Sequence, residues 1–367
     1  MNLKSKLCKL HMSLRTCQID ALTACNENDK GIIRMCCGSG KTMVEIELCL
    51  QEKISCLVAP RNALLKQHIT EFKKKVNYKD TSNEFEYSFS TDTFELFTIN
   101  CEADFEKYDV KGKSSKKVCF IINNCSLTKL PVTPDILIVD EAHTHKMAVF
   151  KCKTLKNVKR KYFFTATPQE MDDIDFYGEV INTYDYLQAL TENYVTKFKI
   201  VPIWKKENFQ NELQEKMDQR NLTHCIHFYK TDKETNSNNL ALSEVPIRML
   251  KNGQKITQFT KKRDEVFKNF KQNGGHLLSC QTISYGIDIP ECDSVFLSYI
   301  GTSIPETVQK MMRAIRLNNA KKDKIAYIFV LMDIPEPEQE FNEGLDITPT
   351  IKELQQQFAQ QYQQVFN

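Results

Sequence analysis

The stretch that most constrains this chain is Met35-Cys36-Cys37-Gly38-Ser39-Gly40-Lys41-Thr42. It follows the apolar run Gly31-Ile32-Ile33. It precedes a helical pattern in which Val44, Ile46, Leu48 and Leu50 are interleaved with Glu45, Glu47 and Glu52. Strand, glycine turn, helix is the context a phosphate-binding loop needs. The glycines let the backbone curl so that several N–H groups face one anion, and the helix adds its positive end. Lys41 offers a point charge for the outer phosphates and Thr42 a hydroxyl for Mg²⁺. Met35 stands where the full loop pattern has a further glycine, and the same residues also fit an ordinary glycine turn that caps a helix.

The rest of the chain alternates strands and helices, which implies a parallel α/β sheet. Strands are expected at 54–60, near 94–99, and at 118–122, 136–139 and 163–168. Ile136-Leu137-Ile138-Val139 is apolar throughout, as suits a strand covered on both faces. Helices are expected at 14–26 and 62–75, the second with Leu64, Leu65, His68, Ile69 and Phe72 at helical spacing. Residues 76–117 read as variable loops around the strand near 94–99. Residues 169–200 read as a bridge with a short helix at 184–190 and a strand-like segment at 194–201. A second series follows, with strands at 222–229, 277–280, 294–299 and 324–332. Its helices are expected at 256–271 and from Glu306 to about Asn318, and a terminal helix is expected at 350–364. With 367 residues, two domains of ordinary size fit. Their expected bounds are 1–192 and 193–345, with a tail at 346–367.

Composition excludes several classes. Hydrophobic residues make up 41%, enough to bury a core. A net charge of +3, from 50 Lys and Arg against 47 Asp and Glu, leaves any nucleic-acid surface local rather than global. The 14 cysteines form no Cys-x-x-Cys, and several lie in strand-like runs (Cys56, Cys119, Cys225, Cys280). They read as reduced, buried thiols of an intracellular protein of cytoplasm or nucleus. His224 and His227 lie on one strand-like run and point to opposite faces, which disfavours a metal site. The N-terminus, with Lys4, Lys6 and Lys9, has no uninterrupted apolar core of a signal peptide. The longest apolar run, Ile325 to Met332, is too short to span a bilayer, so no membrane is expected as a partner.

Asp140-Glu141 follows the apolar run 136–139 directly. Asp140 is placed to hold Mg²⁺ through water, and Glu141 to polarise an attacking water. An acidic pair at a strand end is also a common solvated terminus. Arg313 and Arg316 are three apart on the expected helix and share a face; without further context they are two surface arginines.

In order along the chain these segments resemble the superfamily-two helicases and translocases of the DEAH/DExH kind, whose ATPase core is also that of type III restriction enzymes. Gly38-Ser39-Gly40-Lys41-Thr42 is similar to their first motif, Asp140-Glu141-Ala142-His143 to the second, and Thr165-Ala166-Thr167 to the third. Tyr285-Gly286-Ile287-Asp288-Ile289-Pro290 is similar to the fifth, and Gln309 to Arg316 to the sixth. Arg15 and Gln18 resemble the adenine-recognising segment, and Pro60-Arg61-Asn62-Ala63-Leu64 the motif that touches nucleic-acid backbone. The resemblance implies two tandem RecA-like parallel-sheet P-loop domains with ATP in the cleft between them. It implies Mg²⁺ on Thr42 and Asp140, and nucleotide contacts from residues 35–42 and from Gly286 and Asp288. Gln309, Arg313 and Arg316 would complete the site from the second domain. Arg61, Ser126, His143, Thr165 and Thr167 would contact nucleic acid or couple it to the nucleotide. The family's glycine before the first arginine is replaced here by Met312.

The expected function is thus ATP-driven unwinding or translocation on nucleic acid, DNA favoured over RNA. Two rivals remain: a stimulated ATPase that translocates without separating strands, and a binding module on a degenerate core. Intact Lys41, Asp140, Glu141 and both arginines disfavour the last.

Overall fold

The computed structural model describes residues 14–60, 62–76, 89–99, 116–123, 126–127, 130, 132–144, 155, 157–168, 171–204, 209–230, 245, 250–257, 260–280, 289–299, 304–318 and 323–332. Arg61, Gly286 and Asp288 lie outside them, as do residues 77–88 and 100–115 and the expected helix at 350–364. The chain divides into two units, Met1–Asp185 and Tyr186–Asn367.

The first unit opens with helix α1 (Thr16–Glu27) and strand β1 (Lys30–Met35). Helix α2 (Lys41–Gln51), strand β2 (Ile54–Ala59) and helix α3 (Asn62–Lys75) follow. Then come β3 (Phe89–Ser90), β4 (Phe94–Ile99), β5 (Lys117–Asn123), β6 (Ile136–Val139), β7 (Arg160–Thr165), helix α4 (Ile174–Tyr177) and β8 (Val180–Tyr184). The strands form one sheet in the order β3-β4-β5-β2-β6-β7-β1-β8. Every pairing is parallel except β3 with β4. All four residues of β6 are buried, as its unbroken apolar run requires. One face packs Ile32, Cys56, Val58, Phe120, Leu137, Val139 and Phe163 into a continuous core.

Strand β8 corrects an expectation, since its residues were read as part of a bridge. It is an edge strand whose first four residues are half-buried or exposed, so its hydrophobic pattern is weak. Its neighbour accommodates it through Gly31, where a Cβ would stand 2.7 Å from the Ile181 side chain.

The second unit holds helix α5 (Tyr186–Thr191), β9 (Lys197–Trp204), helix α6 (Phe209–Gln219), β10 (His224–Tyr229) and β11 (Gln254–Ile256). Helix α7 (Arg263–Asn273), β12 (Gly275–Cys280), β13 (Ser294–Leu297), helix α8 (Ile304–Met311) and β14 (Ile325–Met332) complete it. Its sheet runs β11-β12-β10-β13-β14-β9, parallel throughout. Tyr186 ties α5 to this unit, donating its hydroxyl to Thr196 O at 2.9 Å and meeting Phe198 edge-on.

Three helix readings change. Helix α6 was not anticipated. The helix expected over 256–271 begins only at Arg263, since Ile256 ends strand β11, which pairs with β12. The helix expected to reach Asn318 stops at Met311. Beyond it the backbone is drawn into other bonds: Ile315 O accepts from Thr196 N at 2.9 Å, Arg316 bridges Val195, and Lys324 Nζ donates to Arg316 O at 2.8 Å.

The histidines of β10 face opposite ways, as expected. His224 lies beside Lys271 O and Phe270, whereas His227 is buried in a polar chain. Gln214 Nε2 donates to Asp218, so Gln214 Oε1 accepts from His276 Nε2 at 2.9 Å. His276 Nδ1 is then the acceptor for His227 Nε2–H at 2.8 Å, and Tyr229 OH donates to His227 Nδ1 at 3.3 Å. Burial holds both imidazoles below their ordinary range, His276 at about 4. Cys56, Cys119 and Cys225 are buried thiols, while Cys280 is half-buried.

Candidate nucleotide site

Strands β2, β6, β7 and β1 run side by side and parallel, so their carboxyl ends share one edge of the first sheet. Ligands collect at such edges. β1 delivers the glycine loop there, β6 delivers Asp140 and Glu141, and β7 delivers Thr165 and Thr167.

Gly38 and Gly40 have φ of 85° and 88°, the left-handed region that glycine enters without penalty. Ser39 closes the turn, its Oγ donating to Cys36 O at 2.7 Å and its N–H to the same oxygen at 3.3 Å. The N–H groups of Gly38, Gly40 and Lys41 donate to no acceptor among the described residues. They lie at the N-terminal, positive end of α2, where backbone N–H groups can cradle an anion.

Helix α1 braces this loop. Arg15 Nη1 donates to Gly38 O at 3.2 Å. Gln18 Nε2 donates to Gly40 O at 3.1 Å and to Ser39 O at 3.3 Å, while its Oε1 accepts from Arg15 N at 2.9 Å. The pair expected to read adenine is therefore also a structural clamp on the phosphate loop.

Lys41 is buried, with Nζ 3.3 Å from Met35 O. Burial opposes its charge, but the Glu141 carboxylate, with Asp140 behind it, outweighs that and holds its pKa above the usual value. Lys41, Asp140 and Glu141, the trio expected from the sequence, thus lie within electrostatic reach of one another. Thr42 begins the same helix and is half-buried. A threonine hydroxyl and a carboxylate are the hard oxygen donors that Mg²⁺ favours, so the donor set fits a magnesium–nucleotide complex.

Asp140 is held on both oxygens. Oδ1 accepts from Glu141 N at 2.8 Å, and Oδ2 lies 3.1 Å from His68 Nε2. Burial alone would raise its carboxyl; the His68 hydrogen bond and the Lys41 charge hold it below the ordinary range instead. Glu45, fully buried on α2, is pushed well above that range, by burial first and by the Asp140 charge second. Neither His68 nor Glu45 was singled out from the sequence. The only signals there were a polar residue on the buried face of α3 and a glutamate one helical turn after Lys41.

Glu141 has φ 46°, a left-handed conformation that costs a side-chain-bearing residue energy and recurs at functional positions. Its carbonyl accepts from Thr144 N at 2.9 Å and Thr144 Oγ1 at 2.8 Å, which fixes the short 3₁₀ turn Ala142–Thr144. His143 Nδ1 lies 2.8 Å from Thr165 Oγ1 and 3.8 Å from Glu141 Oε2. Thr165 Oγ1 also accepts from Thr167 N at 3.0 Å. One polar chain therefore joins the acidic turn to the end of β7. Ser126 is buried in the turn after β5, its N–H donating to Asn123 Oδ1 at 3.1 Å.

In the second unit Gln309 lies on α8 and is buried, as is Arg313. Arg313 and Arg316 do not share a helical face as expected. Both follow the end of α8, in the segment drawn toward residues 195–196.

Residues 11–170 match the family model of the type III restriction enzyme res subunit, and residues 204–318 match that of the helicase conserved C-terminal domain. No curated protein matches the chain in sequence. The fold is similar to that of the ATP-dependent type ISP restriction-modification enzyme LlaBIII bound to DNA, with a TM-score of 0.62 at 18% identity. That likeness covers 96% of this chain and 30% of the enzyme. It is similar to a fragment of a putative HsdR subunit of a type I restriction enzyme from Vibrio vulnificus YJ016 (TM-score 0.58, 16% identity, 90% of this chain and 69% of that one). It is also similar to S. cerevisiae Dbp5 bound to RNA and ADP BeF3 (TM-score 0.59, 15% identity, 91% and 87%). The chain thus spans under a third of the LlaBIII enzyme. Among the described residues no helix is long and apolar enough to cross a membrane. The two halves thus match, in order and each on its own α/β sheet, the two family models that make up a superfamily-two helicase core.

Proposed function

We propose that the chain is an ATP-driven motor on nucleic acid, of the DEAH type, with DNA as its preferred track. The observation that carries this is the placement of Lys41, Asp140 and Glu141 at one sheet edge beside a glycine loop whose N–H groups at Gly38, Gly40 and Lys41 have no acceptor among the described residues. In this reading the loop from Met35 to Gly40 and Lys41 bind the β- and γ-phosphates. Arg15 and Gln18 sit at the adenine end. Thr42 and Asp140 would hold Mg²⁺, which when bound would supply charge neutralisation at the phosphates. Glu141 orients the attacking water and accepts its proton. Gln309, Arg313 and Arg316, with Gly286 and Asp288, are assigned to the nucleotide from the second domain. Arg61 and Ser126 are assigned to the nucleic-acid backbone, and His143, Thr165 and Thr167 to coupling. The domain division is taken at 1–192 and 193–345, with 346–367 as a tail.

The preference for DNA rests on the restriction-enzyme family model of the first unit and on the LlaBIII enzyme bound to DNA. Contacts to phosphates make the interaction salt-sensitive. The test is ATP hydrolysis with single- and double-stranded DNA and RNA, for the wild type and for Lys41→Ala. Stimulated turnover that vanishes in the variant, with thermal unfolding unchanged, is expected; undiminished hydrolysis in that variant rejects the assignment. A second reading, translocation without strand separation, is favoured by the two restriction-enzyme likenesses. Stimulated hydrolysis with no strand displacement would establish it.

A further inference from the structure

His68 and Glu45 are each fully buried, on the neighbouring helices α3 and α2. Every other residue of α3 that is buried is apolar: Leu64, Leu65, Ile69 and Phe72. An imidazole in that row loses its hydration and needs a partner. Its hydrogen-bond partner is Asp140 Oδ2, 3.1 Å from Nε2; Glu45 Oε2 lies 3.7 Å from Nδ1, beyond hydrogen-bond reach. The carboxylate can only accept, so the proton of this bond sits on Nε2. Asp140 Oδ1 is taken by Glu141 N. The carboxylate plane is therefore fixed from both sides, by the backbone of its own turn and by a side chain reaching across from the helix after β2.

We propose that His68 is a positioning residue for the metal carboxylate: it sets the rotamer of Asp140 so that the carboxylate meets the magnesium hydration shell already aligned. This rests on the assignment of Asp140 as a metal-holding residue. His68 acts as outer partners of metal ligands act, by removing the rotational freedom of the carboxylate before the cation arrives.

The experiment is Mn²⁺ binding followed by its EPR signal, with the full chain and AMP-PNP, for wild type, Asp140→Asn, His68→Leu, His68→Asn and His68→Gln. Glutamine reaches as far as Nε2 and keeps a donor; asparagine and leucine withdraw it. Asp140→Asn is expected to weaken Mn²⁺ binding. His68→Leu and His68→Asn should weaken it by about 10- to 100-fold, the usual effect of losing such a partner, and His68→Gln should recover most of the loss. Metal-free binding of AMP-PNP should stay at the wild-type value in all three His68 variants. If His68→Leu does not fold, the asparagine–glutamine pair gives the same comparison. Weakening in Asp140→Asn but none in His68→Asn overturns this proposal and leaves the metal assignment standing. No weakening in Asp140→Asn overturns both. Loss of metal-free AMP-PNP binding in step with Mn²⁺ binding means a general packing role and also overturns it.

Discussion

Replacing Gly40 by alanine tests the phosphate loop most directly. Gly40 has φ 88°, and a Cβ there would overlap Gln18 Nε2. The obstacle is the tip of a flexible side chain, so Gln18 can swing aside, but it then gives up its donations to Gly40 O and Ser39 O. The left-handed conformation costs a residue with a Cβ about 1–2 kcal/mol. Each lost hydrogen bond costs about 0.5–1.5 kcal/mol net. Together these favour other loop conformations by roughly 2–5 kcal/mol, which weakens nucleotide binding by about 30- to 5,000-fold. Gln18→Ala alone removes only the hydrogen bonds, so a weakening nearer about tenfold is expected. The double variant relieves the overlap but keeps the backbone strain, so it should bind no better than Gly40→Ala. Titration with a fluorescent ATP analogue, alongside thermal unfolding, reads all three. Wild-type affinity in Gly40→Ala, or full rescue by Gln18→Ala, would refute the reasoning.

Two further outcomes follow from other parts of the molecule. Thr165→Val removes the hydroxyl that bonds His143 and accepts from Thr167 N; it should lower nucleic-acid-stimulated hydrolysis by about tenfold with nucleotide affinity unchanged, while Thr165→Ser keeps the rate. The His227–His276 pair should make the second unit acid-sensitive. Burial lowers His276 from 6.5 to about 4, so the unfolded chain takes up the proton first, and the stability present above pH 6.5 falls as pH drops toward 4. The loss from His276 alone is about 3 kcal/mol. The chain has a single tryptophan, Trp204 on β9, buried in the second unit. Its fluorescence in urea at pH 7.5 and pH 5 therefore reports that unit directly. An equal midpoint shift in His276→Gln would count against the pair as the cause.

Strands with continuous apolar runs, such as Ile136–Val139 and Ile325–Met332, were legible because burial on both faces leaves a signature in composition. The loop at 36–42 and the acidic pair were legible because their chemistry needs fixed residue types. Val180–Tyr184 was not, since an edge strand is half solvated and its pairing with β1 is licensed by a glycine far away in sequence, Gly31. The early end of α8 was hidden for a related reason. Residues 312–316 read as helical by local pattern, but the backbone at 315–316 is claimed by residues 195–196. His68 looked like one more position on a buried face. Only the meeting of α2, α3 and the end of β6 reveals what it touches.

The last strand of the first sheet has a consequence for how the chain must be made. Cys36 N, the first donor of the loop, is tied to Tyr184 O at 2.9 Å. A ribosome releasing this polypeptide has therefore exposed the loop long before the residue that anchors it emerges. A fragment cut at residue 170, where the match to the restriction-enzyme family ends, would leave β1 as an open edge able to recruit a strand from another copy. Expression of the isolated first unit should begin from a boundary no earlier than Asp185.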